Sequence, residues 1–239
     1  MGEAGAMTAR QIGARSVIPV FPLGTVLVPG LVLPLHIFEP RYRRLVSDLQ
    51  RLPEDERGFG VLAIREGREV GADGVRALYD VGTLAVLREV SAHADGRFDV
   101  VTNGDARFRV LRLVEAGTPY LRAEVEWIGE DDGGTPGEPA ELGLAVRRRF
   151  DVYRGLLAGV GAAEPTLMPH LPEDPRVLSY LVAAAMVLDL SDRQALLETA
   201  TTTDRLRREL ALLSRESMLV RELPSLPAID LARTPSGLN

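Results

Sequence analysis

Four prolines, Pro19, Pro22, Pro29 and Pro34, interrupt an otherwise apolar and extended run between residues 18 and 37. Each lacks the N–H that a β-ladder needs, so a strand carrying one is expected at a sheet edge or broken at a bulge. Pro29-Gly30 reads as a turn between two apolar runs. Leu35 and Ile37 continue an apolar alternation begun at Leu31 and Leu33 and are expected to face a core; His36 and Phe38 then point the other way. At Glu39-Pro40 the period changes. Pro40 suits a first helical position, and Tyr42, Leu45, Val46 and Leu49 follow at 3.6-residue spacing.

Composition narrows what such a segment can belong to. With 239 residues, 46% apolar and 26% charged, the chain can bury one sizeable core or two small ones. No apolar run approaches the roughly 18 residues of a membrane-spanning helix. Residues 1–16 are small and polar with no apolar stretch, which predicts a loose tail and not a signal peptide. Cysteine is absent, which removes disulfides, thiolate chemistry and Cys-ligated zinc and suits a cytoplasmic protein. All 28 basic residues are arginine. Without lysine these residues can build no P-loop, no Ser-Lys dyad and no Schiff base. A net charge of −6 and a pI near 5.3 argue against a general nucleic-acid binder.

Residues 59–64 read as a buried strand. The Gly58-x-Gly60-x-x-Ala63 pattern within it lacks the following helix that a dinucleotide fingerprint requires. A glycine-rich loop at 66–74 leads to a strand at 78–87, where Gly82 marks a bulge or a close backbone approach. Asp95-Gly96 and Asn103-Gly104 both carry the hairpin signal. Arg107 to Val110 alternates as a half-exposed strand, and Leu121, Ala123, Val125 and Trp127 alternate against polar neighbours. The acidic, Gly- and Pro-rich residues 129–139 predict a linker. Helical spacing follows: Leu142, Val146, Phe150, Tyr153 and Leu157 form a stripe, Asp174-Pro175 opens a second helix, and Ser191-x-x-Gln194 reads as a capping box. A last helix at 204–223 carries Leu206, Leu210, Leu213 and Val220 on one side, and Pro224 stops it. Residues 224–239 are expected to form a tail.

Little in the sequence points to catalysis. His36, His93 and His170 are the histidines, with no His-x-x-x-His pair, so no metal site is expected. No Gly-x-Ser-x-Gly elbow supports a triad, and no cofactor motif is present. The arginines at 41, 43 and 44, at 147–149, and at 205, 207 and 208 read as solvated helix faces laced with carboxylates. Glu39 and Arg41 are pinned at the strand–helix corner. They form either an ion pair that fixes it or a guanidinium fork open to a ligand carboxylate.

The corner closely resembles the opening of the Lon protease N-terminal, substrate-binding domain family, with Phe21 to Leu23, Pro29-Gly30 and Pro34 to Tyr42 matching its Phe-Pro-Leu, Pro-Gly and Pro-Leu-x-Ile-Phe-Glu-Pro-Arg-Tyr elements. Tyr79 to Ala85, Asp95 to Arg97, Gly104 to Val110 and Pro119 to Glu126 resemble its later patterns, and residues 171–220 resemble its helical part more weakly. The resemblance implies an α+β protein: an N-terminal PUA-like β pseudobarrel with one early helix at 17–128, the linker at 129–139, and a C-terminal helical lobe at 140–223. It implies a stand-alone, non-catalytic module that lacks the family's ATPase and peptidase domains. Such a module would bind a peptide or an unfolded client protein, or act as an adaptor, with a protease or chaperone as a candidate partner. His36, Phe38, Glu39, Arg41 and Tyr42 are the expected binding residues. Two alternatives stand beside it: an RNA-binding PUA-like protein using Arg107, Arg109 and Arg112, and a hydrolase with an interlobe site.

Overall fold

A computed structural model describes residues 11–67, 75–115, 117–159 and 171–222. The expectations for most of the N-terminal tail, for most of the glycine-rich loop at 66–74, for His170 and for the C-terminal tail lie outside these residues. In chain order the elements are β1 (Arg15–Leu23), β2 (Val32–Ile37), α1 (Pro40–Leu49), β3 (Gly58–Gly67), β4 (Val75–Leu78), β5 (Val81–Ala92), β6 (Phe98–Val114), β7 (Arg122–Ile128), α2 (Glu138–Gly159), α3 (Pro175–Ala185), α4 (Leu190–Leu197) and α5 (Thr202–Glu222). They form the α+β arrangement expected, in two compact units made of the described residues among 11–130 with 188–198, and among 131–187 with 199–222.

In the first unit the strands run β1-β7-β6-β5-β3-β4, and β1 also pairs with β3, which closes the sheet into a ring. Prolines do not place β1 at an edge, contrary to expectation. Residues 15–19 pair with β7 on one side, and residues 20–23 pair with β3 on the other. Pro19 and Pro22 therefore each sit where one side of the strand is unpaired, and the missing N–H costs no ladder bond. The strand also begins at Arg15, inside the stretch expected to be a tail.

A similar change of partner explains Asn103-Gly104, which is not a hairpin. β6 is continuous through it; residues 98–103 pair with β2 and residues 107–114 with β7. At the changeover the Gly30 amide donates to the Gly104 carbonyl at 2.9 Å, and the Gly104 amide donates to the Leu31 carbonyl at 2.8 Å. A Cβ at Gly104 would lie 2.3 Å from the Val28 carbonyl oxygen, so only glycine admits the loop. Gly82 is a close approach of the same kind, with a Cβ placed 2.3 Å from the Val61 carbonyl. Asp95-Gly96 does make the expected hairpin, Gly96 taking φ of 80°.

Among the described residues, two apolar clusters pack within this unit. Phe21, Leu23, Ile37, Phe59, Val61, Leu87 and Val100 pack with Tyr42, Leu45, Val46 and Leu49 of α1. Val20, Leu62, Leu84, Phe108, Val125 and Trp127 form the second. β3 reads as a continuous apolar run because its alternate residues enter different clusters. Burying a side chain such as Ile37 or Leu45 completely contributes about 1.5–3 kcal/mol.

α4 belongs to this unit, not to a separate helical lobe. Its cap is Asp189, whose carboxylate accepts from the Asp192 amide at 2.7 Å; Ser191 donates its hydroxyl to Asp189 at 2.8 Å and caps nothing. A carboxylate two residues upstream is the stronger acceptor. Gln194, expected in the capping box, is buried and donates to the Val81 carbonyl at 2.9 Å.

In the second unit α2, α3 and α5 pack together. Val146, Phe150, Tyr153 and Leu157 are buried as the stripe predicts, and Asp174 caps α3 with Pro175 at its start. On α5 the buried face turns away from Leu210 and Val220 and includes Arg205, Glu209 and Ser217. Residues 131–137, expected as part of a linker, are bonded into the unit. The Thr202 amide donates to the Asp131 carbonyl at 2.8 Å, the Thr203 amide to the Asp132 carbonyl at 2.9 Å, and the Thr135 amide to Glu138 at 2.9 Å.

Candidate functional site

Among the described residues β2 pairs with β6 alone, so it is an edge strand, as its proline predicts. Its alternation separates two faces. Ile37 is buried, and Leu33 and Leu35 are half-buried against the cluster beneath α1. Val32, Pro34, His36 and, just beyond the strand, Phe38 are exposed; Val32 and Phe38 retain 54% and 48% of their surface.

The chain then turns at Glu39, whose extended backbone (φ −67°, ψ 135°) leads Pro40 into the first turn of α1. Arg41 Nη2 lies 3.0 Å from Glu39 Oε2, with both side chains about five-sixths covered. Of the two readings of this pair, the geometry is that of an ion pair across the corner. The Arg41 guanidinium also sits 4.5 Å from the centre of the Tyr42 ring. Tyr42 is 4% exposed and stacks on Phe21 at 3.9 Å between centroids. It lies on the apolar face of α1 with Leu45, Val46 and Leu49, so core packing claims its ring. Of the five residues singled out in the sequence, His36 and Phe38 are on the open surface, Glu39 and Arg41 form the rim, and Tyr42 supports them from below.

The fold adds a neighbour that sequence spacing hid. The β2–β6 register sets His36 directly opposite Asp99, and the Asp95-Gly96 hairpin returns His93 to the same spot. His36 Nδ1 is 2.6 Å from Asp99 Oδ1, and His93 Nε2 is 2.6 Å from Asp99 Oδ2. Arg97 Nη1 stands 3.4 Å from His36 Nε2, which fits a ring whose Nδ1–H donates to the carboxylate. The hydrogen bonds from His36 and then His93 hold the Asp99 carboxyl below its ordinary pKa. The Phe38 and His36 rings lie 6.2 Å apart, so the histidine cluster and the apolar row are continuous. The pairing was hidden because His36 stands on β2 and His93 in the β5–β6 hairpin, and only the β2–β6 register together with that hairpin brings both to Asp99.

The arginines proposed for RNA are largely committed elsewhere. Arg107 is buried and donates to Glu130 Oε1 at 2.7 Å, the Leu197 carbonyl at 2.8 Å and the Gly129 carbonyl at 3.2 Å. Arg112 donates to Glu124 at 2.7 Å. Arg205, read as solvated, is buried as well.

Comparison with known proteins places this geometry. The profile of the ATP-dependent protease La (LON) substrate-binding domain matches residues 17–215. Lon protease 2 of Syntrophobacter fumaroxidans is 30% identical over 206 residues, covering 84% of this chain and 25% of the relative. Lon protease 2 of Sorangium cellulosum is 32% identical over 224 residues, covering 92% of this chain and 27% of the relative. The chain thus spans about a quarter of the length of these relatives. A Lon N-terminal domain protein from Xanthomonas campestris superposes with a TM-score of 0.57 at 26% identity, over 82% of this chain and 98% of that one. The N-terminal domain of a Mycobacterium avium complex Lon protease shares the fold, with a TM-score of 0.60 at 20% identity over 83% of this chain and 98% of that one. A domain-length match over the signature corner, the closed sheet and the helices following it means that this chain belongs to the Lon substrate-binding domain family.

Proposed function

We propose that this protein is a non-catalytic recognition module that holds exposed segments of client polypeptides on the open face of β2. The observation that carries the reading is the row Val32, Pro34, His36 and Phe38, exposed on an edge strand whose reverse face is anchored in the core. An extended client segment can align with such an edge, with apolar side chains seated on Phe38 and Val32 and polar ones on the histidine cluster. Pro34 leaves the edge without one donor, which limits uncontrolled strand addition. The lack of lysine supports the expectation that these residues hydrolyse neither ATP nor peptide by P-loop or Ser-Lys chemistry. Burial of Arg107 weighs against the RNA alternative.

The test measures capture of a reduced and alkylated, permanently unfolded protein by fluorescence anisotropy, alongside thermal melts. Phe38→Ala and His36→Ala are expected to weaken capture by about tenfold or more together, the usual effect of removing an anchor at an interface, with nearly unchanged melting temperatures. Ile37→Ala should instead cost roughly 2–5 kcal/mol of stability, as large-to-small core changes do. Undiminished capture by the Phe38→Ala, His36→Ala double variant would place the binding surface elsewhere.

A further inference from the structure

The geometry points to a divalent transition-metal site formed by His36, His93 and Asp99, which goes beyond client binding and can be measured with no client present. One nitrogen from each ring and one carboxylate oxygen all lie within 4.8 Å of one another. Metal–ligand bonds of about 2.0–2.2 Å place neighbouring donors roughly 3.4 Å apart in a tetrahedral site. Small side-chain rotations bring the three donors to that spacing; at present His36 Nδ1 and His93 Nε2 each lie 2.6 Å from Asp99, one on each carboxylate oxygen.

The backbone beneath the cluster is preorganised. His36 and Asp99 are paired residues of adjacent strands. The His93 amide donates to the Arg97 carbonyl at 2.8 Å, and the Gly96 amide to the His93 carbonyl at 2.9 Å, so the hairpin fixes the third donor. The side chains keep 41–54% of their surface, which leaves the outer coordination positions to water. Two imidazoles with one carboxylate favour Zn²⁺, Ni²⁺ or Cu²⁺ over Mg²⁺ or Ca²⁺, which prefer all-oxygen shells. A neighbouring cation, Arg97, is itself paired with Asp95 at 2.6 Å, so its repulsion is partly offset. Without metal the same three groups satisfy one another by hydrogen bonds. On metal binding the proton that each ring nitrogen directs at the carboxylate moves to the ring's other nitrogen, which frees a lone pair for the metal and keeps each imidazole neutral.

Isothermal titration of the full chain, free of any affinity tag, with zinc chloride at pH 7.5 tests this. One equivalent of Zn²⁺ should bind, and His36→Ala, His93→Ala and Asp99→Asn should each weaken it by at least roughly tenfold. Co²⁺ in place of Zn²⁺ should give d–d absorption bands of a nitrogen- and oxygen-ligated ion that the His93→Ala variant lacks. The three residues are exposed, so circular dichroism of each variant should match the parent. No heat beyond that of the His36→Ala, His93→Ala double variant would overturn the proposal. So would binding that survives in that variant but disappears in His170→Ala.

Discussion

Both units bury an arginine completely, and they satisfy it by different means. In the β-rich unit Arg107 reaches one carboxylate and two backbone carbonyls, those of Gly129 and Leu197. Both carbonyls sit where an element ends, at the exit of β7 and the last turn of α4, and are free to accept. In the helical unit Arg205 rests 3.8 Å above the Tyr180 ring and donates to the Ser179 hydroxyl at 2.8 Å. Glu209, one turn further along α5, is buried, and among the described residues neither carboxylate oxygen has a hydrogen-bond partner. The interior of a helix bundle offers few spare carbonyls, since each helix spends its own on its i→i+4 bonds. A buried polar group there depends on other side chains, and where they fall short burial works against its charged form. Burial pushes the Glu209 carboxyl well above its ordinary pKa, with Arg205 opposing the shift.

The comparison breaks most decisively at Arg107. Arg107→Ala leaves Glu130 and two carbonyls without their donor, and should cost about 3–5 kcal/mol, as removing one member of a buried pair does. Urea titration would measure it; a loss below about 1 kcal/mol, the scale of an exposed pair, would mean that water replaces the guanidinium at no great cost.

Glu209 sharpens the contrast through pH. Its folded pKa is raised, so its stabilising contribution is fully present below the unfolded value near 4.5 and is lost as pH rises through the folded pKa. Glu209→Gln removes that penalty. The variant should match the parent near pH 4 and exceed it at pH 8 by an amount on the order of 1–3 kcal/mol, the cost of an unsatisfied buried polar group. Melting curves across that range would check it, and a parallel pH dependence in both proteins would show that the carboxyl is not the source.

The smallest effect is expected on the surface of α1. Asp48 accepts from Arg44 at 2.9 Å and from the Tyr120 hydroxyl at 3.1 Å, and Arg44 holds its carboxyl below the ordinary value of 3.8. A depressed pKa stabilises above the unfolded value and the gain disappears as pH falls through the folded one. Asp48→Asn should therefore cost only about 0–1 kcal/mol at pH 7 and nothing near pH 2, as exposed pairs do. A larger loss would show that exposure is a poor guide to what an ion pair contributes here.

Local chemistry made the signature corner legible. The helical spacing of Tyr42, Leu45, Val46 and Leu49, the alternation of Leu33, Leu35 and Ile37 against His36 and Phe38, and the turns at Pro29-Gly30 and Asp95-Gly96 all appear as read. Charge was read less well. From the sequence Arg107 reads as part of a half-exposed strand and Arg205 as part of a solvated helix face; what buries each is a set of acceptors or a ring contributed from distant parts of the chain. α5 shows the consequence, since counting only leucines rotates its buried face away from Arg205 and Glu209.

What this sequence determines alone is whatever depends on neighbours within a few residues: periodicity, capping at Asp174-Pro175, the φ that glycine permits at two turns, and the chemistry that an absent lysine and cysteine remove. The tertiary structure decided which strand each half of β1 and β6 meets, and so why prolines stand in a strand paired on both sides and why Gly104 is a changeover and not a turn. It decided that α4 joins the sheet, and that His36 and His93 converge on Asp99. Each of these depends on register between distant segments. A pattern along one strand records which face is buried, but not which partner lies beside it.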